Sequence, residues 1–147
     1  MNKVEYIIIH CSATMEGKAF FAKDIDRWHK ANGWKGIGYH FVINLDGEIE
    51  TGRPLDADEW IEANEVGAHA YGYNSRSIGI CYIGGCDANM KPKDTRTPQQ
   101  KESLIQLIKS LRQTHKSAKI IGHNEVEKNK ACPSFDVQKW IKAIGLI

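Results

Sequence analysis

From Val4 to Ile9 the chain is continuous and β-branched, without the alternation of a strand that keeps one face in water. Such a run suits a strand buried on both faces, and therefore a sheet that other elements cover. Ser77 to Ile83 reads the same way and closes on Gly84-Gly85. Tyr39 to Asn44, then Asp46-Gly47, then Glu48 to Thr51 predict a hairpin, because Asp-Gly tolerates the positive φ of a tight turn. Ala22 to Asn32 predicts a helix, with Ile25, Trp28 and His29 on one stripe and Gly33 as its stop.

Thr97 opens a second helix, with Pro98 at its first position and Gln100 placed for a capping box. Its apolar stripe is Leu104, Ile105, Leu107, Ile108 and Leu111. Lys119 to Ile121 predicts a short strand, and Val137 to Ala143 a last helix carrying Trp140. Residues from Gly84 to Thr95 read as a surface loop. Strands and helices intermix, so the expected class is α/β, a single mixed β-sheet flanked by helices.

A chain of 147 residues fits one domain, taken as 1–147. Its 41% hydrophobic and 26% charged residues argue against extended disorder. Twenty Lys and Arg against 18 Asp and Glu leave a net charge of +2, too weak to imply nucleic acid or an anionic membrane. The apolar run near the N-terminus is too short for an export signal, and no run is long enough to span a membrane. A cytoplasmic site of synthesis is therefore expected, with Cys11, Cys81, Cys86 and Cys132 reduced. They form no Cys-x-x-Cys pair, so neither a zinc ribbon nor a thioredoxin-like site is indicated.

Chemistry in sheet proteins concentrates just past strand ends. His10 follows the first predicted strand, His123 follows the Lys119 strand after Gly122, and Cys132 stands in a loop before Pro133. Two imidazoles and a thiolate make a three-ligand zinc set with a fourth position for water. Spacing alone leaves two other readings open. His10 can be a surface residue with Cys132 a small buried hydrophobe, or Cys132 and His123 can be a nucleophile and its base. His-Glu-x-x-His, a complete glycine-rich phosphate loop and a Gly-x-Ser-x-Gly elbow are all absent.

Seven ordered segments go further: His10-Cys11-Ser12-Ala13-Thr14, Gly38-Tyr39-His40-Phe41, Gly67-Ala68-His69-Ala70, Gly72-Tyr73-Asn74, Ser77-Ile78-Gly79-Ile80, Gly122-His123 and Lys130-Ala131-Cys132-Pro133-Ser134-Phe135-Asp136. Together, from Tyr6 to Trp140, they resemble the zinc-dependent N-acetylmuramoyl-L-alanine amidases of the bacteriophage T7 lysozyme type, relatives of the peptidoglycan recognition proteins. The resemblance implies zinc held by His10, His123 and Cys132. It implies hydrolysis of the amide between N-acetylmuramic acid and L-alanine of peptidoglycan, with Tyr39 and Lys130 stabilising the charge that develops. His69 is implied to line the groove that binds the muramyl peptide. Asn74 is expected to organise its turn, and Glu125 is a candidate to orient a ligand histidine.

The family further implies a monomer made in the cytoplasm that reaches the wall through a holin or after lysis. The segment before His10 is shorter than in the phage lysozymes, so their RNA polymerase binding is not carried over. The stretch from Asp56 to Asn64 exceeds the corresponding connection of the phage proteins and is expected to edge the substrate cleft. Two rival readings accompany the amidase: a peptidoglycan-binding module without catalysis, and a metal-free cysteine hydrolase.

Overall fold

The computed structural model describes residues 2–146, so only the two ends of the expected 1–147 domain lie outside it. In chain order it contains β1 (Asn2–Lys3), β2 (Tyr6–Cys11), β3 (Thr14–Met15), α1 (Ala22–Ala31), β4 (Phe41–Ile43), β5 (Ile49–Thr51), β6 (Trp60–Ile61), β7 (Ser77–Tyr82), β8 (Gly85–Cys86), α2 (Pro98–Thr114), β9 (Lys119–Gly122), α3 (His123–Val126) and α4 (Val137–Ala143). Two 3-10 turns, Ala63–Glu65 and Asn74–Arg76, lie in the connection from β6 to β7.

The main sheet has the order β5-β4-β7-β2-β9. The β4–β5 hairpin is antiparallel and the other three pairs are parallel, so the sheet is mixed. β2 lies between β7 and β9, and Ile7, Ile8 and Ile9 are fully buried. Successive side chains alternate between the faces. Ile7, Ile9 and Cys11 of β2 join Ile78, Ile80 and Tyr82 of β7 against Leu104, Leu107 and Ile108 of α2 and Val137 and Ile141 of α4. On the opposite face, Val42 and Cys81 pack with Ile25 of α1, Ile37 and Ile83. That alternation sends His10 toward the α1 face, where the groove lies.

The first strand begins two residues later than its composition predicts and runs two residues further, through His10 and Cys11. The reason is pairing: the Val4 amide donates to the Glu59 carbonyl, whereas His10 and Cys11 lie opposite Cys81 and Tyr82 of β7. His10 is thus inside the central strand, 1% exposed, and not a residue beyond its end. The second helix keeps its expected cap. Thr97 Oγ1 accepts from the Gln100 amide at 3.0 Å, and Gln100 Oε1 accepts from the Thr97 amide at 2.9 Å.

The segment expected to edge the cleft goes elsewhere. Its β6 pairs antiparallel with β1, and Ile61 is 1% exposed in the core. Glu65 closes this segment by accepting from the Glu62 amide at 2.9 Å and the Asp56 amide at 2.6 Å. None of residues 56–64 lines the groove described below. Burying Ile61 stabilises the segment against the N-terminal strand, and this outweighs any recruitment to the cleft.

Candidate functional site

Three segments remote in sequence meet at the sheet's carboxyl ends. His10 comes from β2, His123 opens α3 directly after β9, and Cys132 sits in the loop before α4. Ligating atoms of these three side chains all lie within 4.8 Å of one another. Cys132 Sγ is 3.7 Å from His10 Nδ1. A tetrahedral zinc site with bonds of about 2.0 Å to nitrogen and 2.3 Å to sulfur needs donors about 3.3–3.5 Å apart; the 3.7 Å sulfur–nitrogen separation is near that spacing, and the two imidazoles and one thiol are donor types zinc takes.

The loop bearing Cys132 is strapped down on both sides. Its carbonyl accepts from the Asn124 amide at 2.8 Å, and Tyr82 Oη donates to the Pro133 carbonyl at 2.6 Å. The Cys11 amide donates to Cys132 Sγ at 3.2 Å, a contact that favours a thiolate. In the metal-free protein, the hydrogen bond with the Cys11 thiol and burial push the Cys132 thiol well above its ordinary range. Burial, reinforced by His69 and His123, holds His10 well below the usual histidine value.

Each ligand-candidate imidazole has its other nitrogen occupied. His10 Nε2 lies 2.9 Å from His69 Nδ1, and His69 Nε2 lies 3.2 Å from Ser77 Oγ. With His10 Nδ1 turned to Cys132, the consistent arrangement has His10 donating to His69 and His69 donating to Ser77. Gly79 makes room for this: a Cβ there would sit 2.7 Å from the His69 ring. His69 is among the residues lining the groove described below and also backs His10. His123 Nε2 lies 2.9 Å from Glu127 Oε1. Glu125, the expected orienting carboxylate, instead accepts from the Gly122 amide at 2.6 Å and meets Gln138. Four-residue spacing places Glu127 beside His123, a signal present in the sequence.

Above this floor runs a groove of about 430 Å³ whose lining includes Tyr39, His69, His123, Glu127, Lys130 and the exposed Tyr71. The Tyr39 ring lies 5.0 Å from the His10 ring, centroid to centroid. Burial, with the nearby thiols of Cys81, Cys132 and Cys11, raises the phenol well above its ordinary value, so it remains a donor at neutral pH. Lys130 is exposed on the groove wall, its amide donating to the Glu127 carbonyl at 3.0 Å. Asn74 organises its turn as expected, Oδ1 accepting from the His69 amide at 2.8 Å and the Ala70 amide at 2.9 Å. His29, read from sequence as a helix residue, also braces the strand that carries Tyr39, because its Nδ1 accepts from the Gly38 amide at 2.8 Å.

His40 is excluded from the groove chemistry and holds the wall together. Nε2 donates to the Glu65 carbonyl at 2.6 Å, and Nδ1 accepts from the Gly79 amide at 3.0 Å. Burial lowers its pKa to about 4. A neutral native His40 that protonates near 6.5 when unfolded contributes stability that is complete above pH 6.5 and is lost as the pH falls through about 4. With chelator present, unfolding free energy from urea titrations should fall by about 2.5 kcal/mol from this residue between pH 7.5 and 4.5. His40→Gln should lose about one proton's worth of that slope; an unchanged slope would refute the assignment.

A family model described as N-acetylmuramoyl-L-alanine amidase matches residues 1–135. The endolysin of Enterobacteria phage K11 is 44% identical over 146 residues, which cover 99% of this chain and 91% of that protein. The endolysin of Escherichia phage T7 is 43% identical over 139 residues, covering 95% and 86%. Among solved structures, the N-acetylmuramoyl-L-alanine amidase LysC from Clostridium intestinale URNW superposes with a TM-score of 0.79 at 33% identity, covering 99% of this chain and 87% of that one.

Proposed function

Since the chain belongs to the N-acetylmuramoyl-L-alanine amidase family, we propose that it is a zinc-dependent amidase, one domain over 1–147, that cleaves the bond between N-acetylmuramic acid and L-alanine in peptidoglycan. The observation that carries this reading is the convergence of His10, His123 and Cys132, their ligating atoms within 4.8 Å of one another, at the groove that His123 lines. These three side chains would hold zinc, which when bound would supply Lewis acidity toward an amide carbonyl and toward water. His10 and His123 each offer Nδ1, with the opposite nitrogens engaged by His69 and Glu127.

Tyr39 serves as a hydrogen-bond donor toward the oxygen that becomes negative as the amide carbon turns tetrahedral. Its raised pKa suits a donor and argues against a base. The Lys130 ammonium faces the same groove and adds a positive field for that charge. Both residues act on the transition state more than on the bound substrate. Tyr39→Phe and Lys130→Ala should therefore each lower kcat about 10²–10³-fold with little change in KM. Equal losses in KM with kcat preserved would reassign them to binding.

The decisive assay follows new L-alanine amino termini released from purified peptidoglycan, with chelator and then with added zinc. Chelator-sensitive, zinc-restored release supports the amidase; tight wall binding without release from any wall preparation would favour the non-catalytic module. The metal-free cysteine hydrolase, with Cys132 as nucleophile and His123 as its base, is disfavoured because a nucleophile needs a thiolate, whereas the hydrogen bond with the Cys11 thiol and burial push the Cys132 thiol up. As an endolysin-like monomer the protein would act on the wall after a holin or lysis admits it. No helix among the described residues is long and apolar enough to cross a membrane.

A further inference from the structure

We propose that Glu127 is the positioning residue of His123, fixing its tautomer and its strength as a metal donor. The inference deepens the zinc reading and rests on it. Glu127 Oε1 lies 2.9 Å from His123 Nε2, one helical turn away. A carboxylate there accepts a hydrogen bond from Nε2–H and leaves the Nδ1 lone pair free as the donor to a metal. It also makes the imidazole a stronger electron donor. The two ligand histidines differ in this respect: His10 is backed by a neutral imidazole, His69, and His123 by an anion.

The Lys130 ammonium lies near this carboxylate, and Tyr71 lines the same groove. The main chain repeats the linkage, the Glu127 amide donating to the His123 carbonyl and the Lys130 amide to the Glu127 carbonyl, each at 3.0 Å. Glu127 thus links a ligand candidate, through its side chain, with the candidate catalytic lysine, through its backbone.

The test is the zinc dissociation constant of the whole protein, measured by competition with a chromophoric chelator, alongside the melting temperature of the metal-free form. Glu127→Ala should raise the dissociation constant about 10–100-fold while the metal-free melting temperature holds. Glu127→Gln should raise it several-fold, because its amide oxygen still accepts from Nε2 but carries no charge. If the alanine variant fails to fold, the glutamine variant decides. Zinc dissociation constants within twofold of wild type overturn the inference. So does weaker zinc binding that merely tracks a loss of metal-free stability in both variants. A wild-type protein that binds no stoichiometric zinc overturns the zinc reading itself, a result distinct from a wild type that binds zinc and variants that bind it equally well.

Discussion

Cys132→Ser should abolish stoichiometric zinc binding and lower the rate of L-alanine release by about 10³-fold or more, with the far-UV circular dichroism unchanged. Cys132 supplies the only sulfur of the three converging ligands. A serine hydroxyl is nearly the same size but is a poor anion at neutral pH, so a site of two neutral imidazoles remains. Losing Lewis acidity worth several kcal/mol of transition-state stabilisation corresponds to a factor of that order. The fold should survive, because the loop is anchored by Asn124 and Tyr82 through backbone groups that the substitution leaves in place. A cysteine nucleophile would also die in this variant, so chelation of the wild type must accompany it. Undiminished activity in chelator, together with loss on thiol alkylation, would overturn the metal reading.

Gly38→Ala should cost about 3 kcal/mol or more, lowering the melting temperature by about 10 °C. A Cβ on Gly38 would stand 2.1 Å from the Ala68 carbonyl oxygen, a backbone atom that cannot rotate away. The two segments are otherwise joined by the Ala68 amide donating to the Gly38 carbonyl at 3.1 Å. Arg53 reinforces the join, its guanidinium donating to the Ile37 carbonyl at 3.1 Å and the Val66 carbonyl at 2.6 Å. Parting them displaces Tyr39 and His69 together, so activity should fall even in molecules that remain folded. A variant with wild-type melting temperature and turnover would show that the close approach is dispensable.

The long elements were legible because each carries its own local signal. The Thr97-Pro98-Gln100 cap placed the start of α2, and the Val137 to Ala143 stripe coincides with α4. The two-residue strands β1, β3, β6 and β8 carry no periodicity and form only because a distant partner offers backbone groups. That is also why residues 56–64 were misplaced: what holds them is β1, which composition cannot point to. At the site, residue types in seven ordered segments pointed to three residues that the fold brings together, yet strand-end reasoning placed His10 just outside the strand that buries it. The choice between Glu125 and Glu127 turned on geometry: the first is spent on the Gly122 amide, whereas the second reaches the imidazole.

The parallel pairing of the central strand also bears on when the site comes into being. Tyr6 pairs with Ser77, closing 77 − 6 = 71 residues, and with Lys119, closing 119 − 6 = 113 residues. Contacts over such separations carry their chain-closure entropy before they return any stabilisation, and they form slowly. His10 can be buried against β7 early, but His123 and Cys132 arrive only once β9 docks on the far edge of β2. A chain that stops short of β9 lacks His123 and Cys132, so the three converging donors can come together only after nearly the whole chain is present.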